Sequence, residues 1–236
     1  MPMDLADYLN DIRDKRGYLL PHHGLMAVSM PALLDAYDAL YTELTLKDRV
    51  LTKHGHEFVW MAILIASKEA IGTHHIPRDL DAGGTEDEFQ AILRSTALAM
   101  GSSSHRFVNE HWQEHLAGLN PFAAYVDAFQ RAAEGADRGL AHMAAAAVFT
   151  TLGDWAGLEW QLLAAYADDI DETGLAEALS LTMFPGGVPN FVEAADVWRQ
   201  VVMSGRVDAS PEIRTWAELT GQGGFNEASG IGPQDS

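Results

Sequence analysis

AGGTEDEFQAILRSTALAMG, residues 82–101, opens with Thr85 three residues before Glu88, a capping box that starts a helix over 85–100. Eighty-six residues further on, DDIDETGLAEALSLTMFPGG, residues 168–187, has the same layout. At that offset Leu93 falls on Leu179, Thr96 on Thr182, Gly101 on Gly187 and Trp112 on Trp198. The element order around both stretches also agrees: buried helix, short helix, acidic cap, apolar helix, glycine turn, helix carrying a Trp. This self-similarity reads as an internal duplication. It gives an all-α fold of two degenerate helical repeats, about 20–117 and about 118–203, packed as one domain over 1–203. A C-terminal extension, 204–236, follows, and its Gly-rich end from Thr220 onward reads as a mobile tail.

The period of the remaining chain is helical throughout. MPALLDAYDALYTEL (30–44) spaces Leu33, Leu34, Tyr37, Leu40 and Tyr41 by threes and fours, with Pro31 in the first turn. The spacing predicts a buried helix over 47–70 and another over 103–117. Further helices are predicted at about 121–134, 137–152, 155–168, 171–184 and 189–203, and no alternating strand is found. His22-His23, in LLPHHG, precede a Gly and read as loop structure.

Composition narrows the function classes. The chain has 236 residues, 47% of them hydrophobic, enough for a sizeable core. The longest apolar run, Phe58 to Ala66, is far below the roughly 18 residues of a membrane span. The charged N-terminus lacks the apolar region of a secretory signal, so a cytoplasmic location without membrane partners is expected. A net charge of −19, with 15 scattered basic residues, argues against nucleic acid as a partner. With no cysteine, disulfides and thiol redox chemistry are excluded.

HIPRDLDAGGTEDEF, residues 75–89, carries a histidine, a glycine eight residues on and then a Thr-x-x-Glu helix start. In this it resembles the carboxymuconolactone decarboxylase and alkyl hydroperoxidase D superfamily of all-helical proteins. HGLMAVSMPALLDAYDALYTEL (23–44) resembles the segment preceding that family's core, and EWQLLAAYADDIDETGLAEAL with GGVPNFVEAADVW resembles a second copy. The two cysteine positions of the peroxidase branch, seven and four residues before the histidine, are Lys68 and Ile71 here, so thiol peroxidase activity is not carried over. In the second copy the histidine position is Gln161, preceded by Glu159 and Trp160.

The resemblance implies a cofactor-free lyase or isomerase acting on a small carboxylated, unsaturated ring or ring-cleavage product, and a homo-oligomer. Decarboxylation beside a carbonyl leaves an enolate-like carbanion that a placed acid must protonate, and histidine is suited to this near neutral pH. His75 is the first candidate for general acid/base. Glu57, eighteen residues earlier, is the candidate that orients its imidazole, and His56 is a third catalytic candidate. His74 and Lys68 are candidates for binding the substrate carboxylate. In the second half His142, opposite His56 at the 86-residue offset, and Trp160 are further candidates for substrate binding.

EHWQEH, residues 110–115, offers a different chemistry. His111, Glu114 and His115 follow the His-x-x-Glu-His order of an inverted zinc motif, since histidines four apart on a helix can share a metal. The competing readings are therefore a metal-dependent enzyme using such a His/Glu cluster, and a non-catalytic helical scaffold of the same fold.

Overall fold

A computed structural model describes residues 4–222, and the stretch 223–236, most of the expected mobile tail, lies outside them. Among the described residues every regular element is helical, so the chain is all-α. It divides into two compact units, Met1–Asp48 and Arg49–Ser236.

The N-terminal unit contains α1 (Leu5–Arg16), α2 (Pro21–Ser29) and α3 (Pro31–Tyr41), followed by a π-helical turn at Thr42–Leu46. Asp4 caps α1 by accepting from the Ala6 N–H, and Gly17 ends it at φ 85°, a left-handed conformation that glycine adopts readily. Pro21 and Pro31 open α2 and α3 at a position where a backbone N–H is not needed. His22 and His23 thus lie in the first turn of α2, not in a loop. His23 is fully buried, and its Nε2 accepts from Arg16 Nη1 at 2.9 Å. The Arg16 side chain is itself fully buried, paired with Asp38 at 2.8 Å and lying 4.1 Å over the Tyr41 ring. Ile12, Ala27 and Leu34 form the small apolar core of this unit.

The second unit is built around α4 (Lys53–Ser67) and α9 (Arg138–Leu152). All ten residues from Ala141 to Thr150 are buried, and alanine predominates among them, so neighbouring helices can approach α9 closely on every side. Helices α4, α6 (Glu86–Gly101), α10 (Trp155–Ala167), α11 (Glu172–Leu181) and α12 (Val188–Met203) pack against it. The remaining elements are α5 (His75–Asp81), α7 (Ser103–His111), α8 (Pro121–Ala132) and α13 (Pro211–Glu218), the last packed on α12.

The capping box read from the sequence sets the start of α6, where Thr85 and Glu88 exchange its two hydrogen bonds. At α9 the structure adds a cap of its own, Asp137 accepting from Leu140 N. Two expected helices are shorter than their apolar pattern. The one expected over 47–70 begins only at Lys53, because the Val50 and Leu51 N–H groups donate to the buried Glu177 carboxylate at 2.7 and 2.9 Å, and Thr52 then caps Gly55. The one expected over 103–117 ends at His111; Trp112 leaves helical geometry at φ −121°, and a separate 3-10 turn, Gln113–His115, follows.

Candidate active site

Residues from α4 and the start of α5 build the site. Glu57 is the fifth residue of α4, with Trp60 one turn further on the same side. At the end of that helix Lys68 takes a left-handed conformation, φ 58° and ψ 38°, which turns the chain back into a 3-10 segment at Ala70–His74. Gly72 lets this segment lie against α4: a Cβ there would stand 2.6 Å from the Leu64 methyl groups. The return path delivers His75, the first residue of α5, to Glu57. Pro77 is accommodated because it falls in the first turn of α5.

His75 Nδ1 lies 2.5 Å from Glu57 Oε2, and His56 Nδ1 lies 3.8 Å from the other oxygen, Oε1. All three residues are buried. The His75 ring stacks on Trp60 with centroids 5.0 Å apart and planes 28° apart, while the His74 ring is 4.4 Å away. Burial alone would raise the Glu57 carboxyl, but hydrogen bonding and positive charge from His56 and His75 hold it down at about 2. Glu57 is therefore an anion at neutral pH and only accepts. That puts the proton of the His75–Glu57 bond on Nδ1 and leaves Nε2 as the atom that can exchange a proton.

The other candidate residues are placed differently. Burial, then the nearby charges of His75 and Arg78, lower His74 to about 4, so at neutral pH it is not the cation that its expected carboxylate contact calls for. Lys68 is exposed at the end of α4, eleven residues beyond Glu57, or about 16 Å along the helix axis. It lines a cavity of 280 Å³ with Met61, Leu64, Ile65, Ile76 and Phe89. Neither that cavity nor those of 570 and 380 Å³ elsewhere in this unit is lined by His75 or Glu57.

In the second half, His142 is the fifth residue of α9 and so matches Glu57, not His56, in its place along the helix. It belongs to a chain of hydrogen bonds that the sequence did not reveal. The Tyr125 hydroxyl donates to Gln161 Oε1 at 2.5 Å, Gln161 Nε2 donates to His142 Nδ1 at 2.8 Å, and His142 Nε2 donates to Asp168 at 2.9 Å. Because Nδ1 accepts, the ring is the neutral Nε2–H form. Burial lowers its pKa, against the opposing pull of Asp168. Trp160 is not part of this chain; it packs edge-on against Phe122 at 5.3 Å.

The His-x-x-Glu-His stretch loses its metal-binding premise, because His111 ends α7 whereas Glu114 and His115 belong to the separate 3-10 turn. Histidines four apart share one helix face only if the helix continues through both. Among the described residues no group of three or more His, Asp or Glu side chains is arranged to hold a metal ion. No helix of the described residues is long and apolar enough to cross a membrane.

The fold and site define an all-helical protein with a buried carboxylate–imidazole pair. No protein-family model, no curated protein and no solved structure matches the chain.

Proposed function

We propose that the protein is a cofactor-free lyase or isomerase of the carboxymuconolactone decarboxylase type, transferring a proton at His75. The observation that carries this reading is the 2.5 Å contact between His75 Nδ1 and the ionised Glu57. It holds the ring in one orientation, with Nε2 as the atom that exchanges the proton. In the proposed step the bond between the substrate carbon and its carboxylate breaks and carbon dioxide leaves. The electron pair is held as an enolate, and His75 Nε2–H protonates the carbon; the ring then regains a proton from water. Isomerisation next to a carbonyl would use the same atom twice, first as base and then as acid.

The recurrence of helix starts supports a duplicated origin: α4 begins at 53 and α9 at 138, α6 at 86 and α11 at 172, α7 at 103 and α12 at 188. The resemblance further implies a homo-oligomer, and exposed Leu25 and Val28 in the N-terminal unit are candidates for its contacts.

A second reading, a helical scaffold without catalysis, is favoured by one observation: Glu57 and His75 are 6% and 4% exposed, and Trp60 covers one face of the imidazole. An absorbance assay with 4-carboxymuconolactone and related carboxylated lactones separates the two. Chelator-resistant turnover that His75→Asn abolishes is expected for the lyase. Turnover abolished by a chelator moves the chemistry to a metal, and absence of turnover across the series favours the scaffold.

A further inference from the structure

The cavity at the end of α4 has an almost wholly apolar lining that includes the exposed Ile76, together with two charged residues. Met61 is buried, Leu64 and Ile65 are half-buried, and Ile76 and Phe89 complete the wall. Its volume, 280 Å³, is at the lower edge of the roughly 300–1,000 Å³ of small-molecule sites. At interior packing density such a space takes an occupant of on the order of ten non-hydrogen atoms.

The two charged residues are Lys68 and Glu69. Glu69 is turned to the backbone, where Oε1 accepts from Ile71 N at 2.8 Å. Lys68 has no carboxylate within ion-pair distance among the described residues. Its backbone is in the left-handed region at φ 58°, where glycine is the favourable residue. A lysine there is less favourable than a glycine, and it ends α4 with its ammonium group unpaired among the described residues.

We propose that this cavity binds a small apolar monocarboxylate, with its hydrocarbon body among Met61, Leu64, Ile65, Ile76 and Phe89 and its carboxylate on the Lys68 ammonium. Thr73 and Ile76, which also line the cavity, flank His74-His75 in the chain. Neither Glu57 nor His75 lines this cavity, so the inference concerns a binding site apart from the lyase reading and stands or falls separately from it.

The test is a methyl NMR titration of the full chain, labelled at Met61 and Ile76, with sodium octanoate, octylammonium chloride and 1-octanol. Octanoate is expected to shift both methyl signals and to bind roughly two- to fivefold tighter than octanol, the range of an exposed ion contact. Octylammonium should bind more weakly than octanol. Lys68→Gly, which removes the charge and relieves the backbone, should equalise octanoate and octanol, and Lys68→Arg should restore the preference. Equal binding of octanoate and octylammonium, an undiminished preference in Lys68→Gly, or no shift at either methyl overturns the proposal. Methyl signals that move only with protein concentration also overturn it, since the cavity is then a contact between copies. His75→Asn is expected to bind octanoate normally, so a failure of catalysis at His75 and a failure of this site are read separately.

Discussion

The carboxylate of Glu57 and the imidazole of His75 are 2.5 Å apart although eighteen residues separate them in the chain. Their contact fixes the ring tautomer and keeps a charge buried beside Trp60. Replacing Glu57 by Gln removes the charge and keeps the shape. The variant should lose about 1–3 kcal/mol at neutral pH, read from urea midpoints. The wild-type contribution has a defined pH window. Because Glu57 titrates at about 2 in the folded state, against 4.5 for an unperturbed glutamate, the stabilisation is complete above 4.5 and lost as pH falls towards 2. The gap between wild type and variant should therefore close at low pH; a constant gap would contradict the assignment.

The N-terminal unit carries a second pH dependence. Burial, then the positive charges of His22 and Arg16, lower His23 to about 4 from 6.5, against the opposing pull of Asp38. A depressed histidine favours the neutral folded form, so its contribution is present above 6.5 and is lost as pH falls from 6.5 to 4. The Ala27 methyl resonance should therefore broaden or split between about pH 6.5 and pH 4. His23→Gln should flatten that response.

Asp79 is a buried carboxyl on α5 whose Oδ1 has no hydrogen-bond partner among the described residues. Burial raises its pKa, with Glu88 and Glu57 adding to the shift and His54 opposing it. For a raised carboxyl, stability falls as pH rises through the folded value, so the ionised group is a cost at neutral pH. Asp79→Asn should raise the neutral-pH thermal midpoint, by about 1 kcal/mol of stability. Gly84→Ala should do the reverse, by about 1–3 kcal/mol, because its Cβ would overlap the Asp79 carboxylate. Calorimetry of the two variants checks both signs.

Gln161 joins Tyr125 to His142 in the second half. Gln161→Leu leaves a buried hydroxyl and a ring nitrogen without partners, and should cost about 2–4 kcal/mol. Chemical denaturation measures the loss. A change below about 0.5 kcal/mol would show that the chain of bonds adds nothing to stability.

Local chemistry in the sequence determined the helical class and most helix starts. Thr85 with Glu88, Asp137, Pro121 and Pro31 act within one turn of their own positions, so their effect is legible without the rest of the chain. The pairing of Glu57 with His75 was legible only through a family resemblance. Its geometry depends on the left-handed Lys68 and on Gly72 lying against Leu64, which set the path of the returning chain. Tertiary structure also decided what the pattern misplaced. Glu177, more than 120 residues away, takes the N–H groups that would have extended α4 backwards, and the end of α7 at His111 separates two histidines that spacing had put on one face. In each case a local preference of less than about 1 kcal/mol per residue yields to a buried hydrogen bond or a close contact that exists only when distant segments meet.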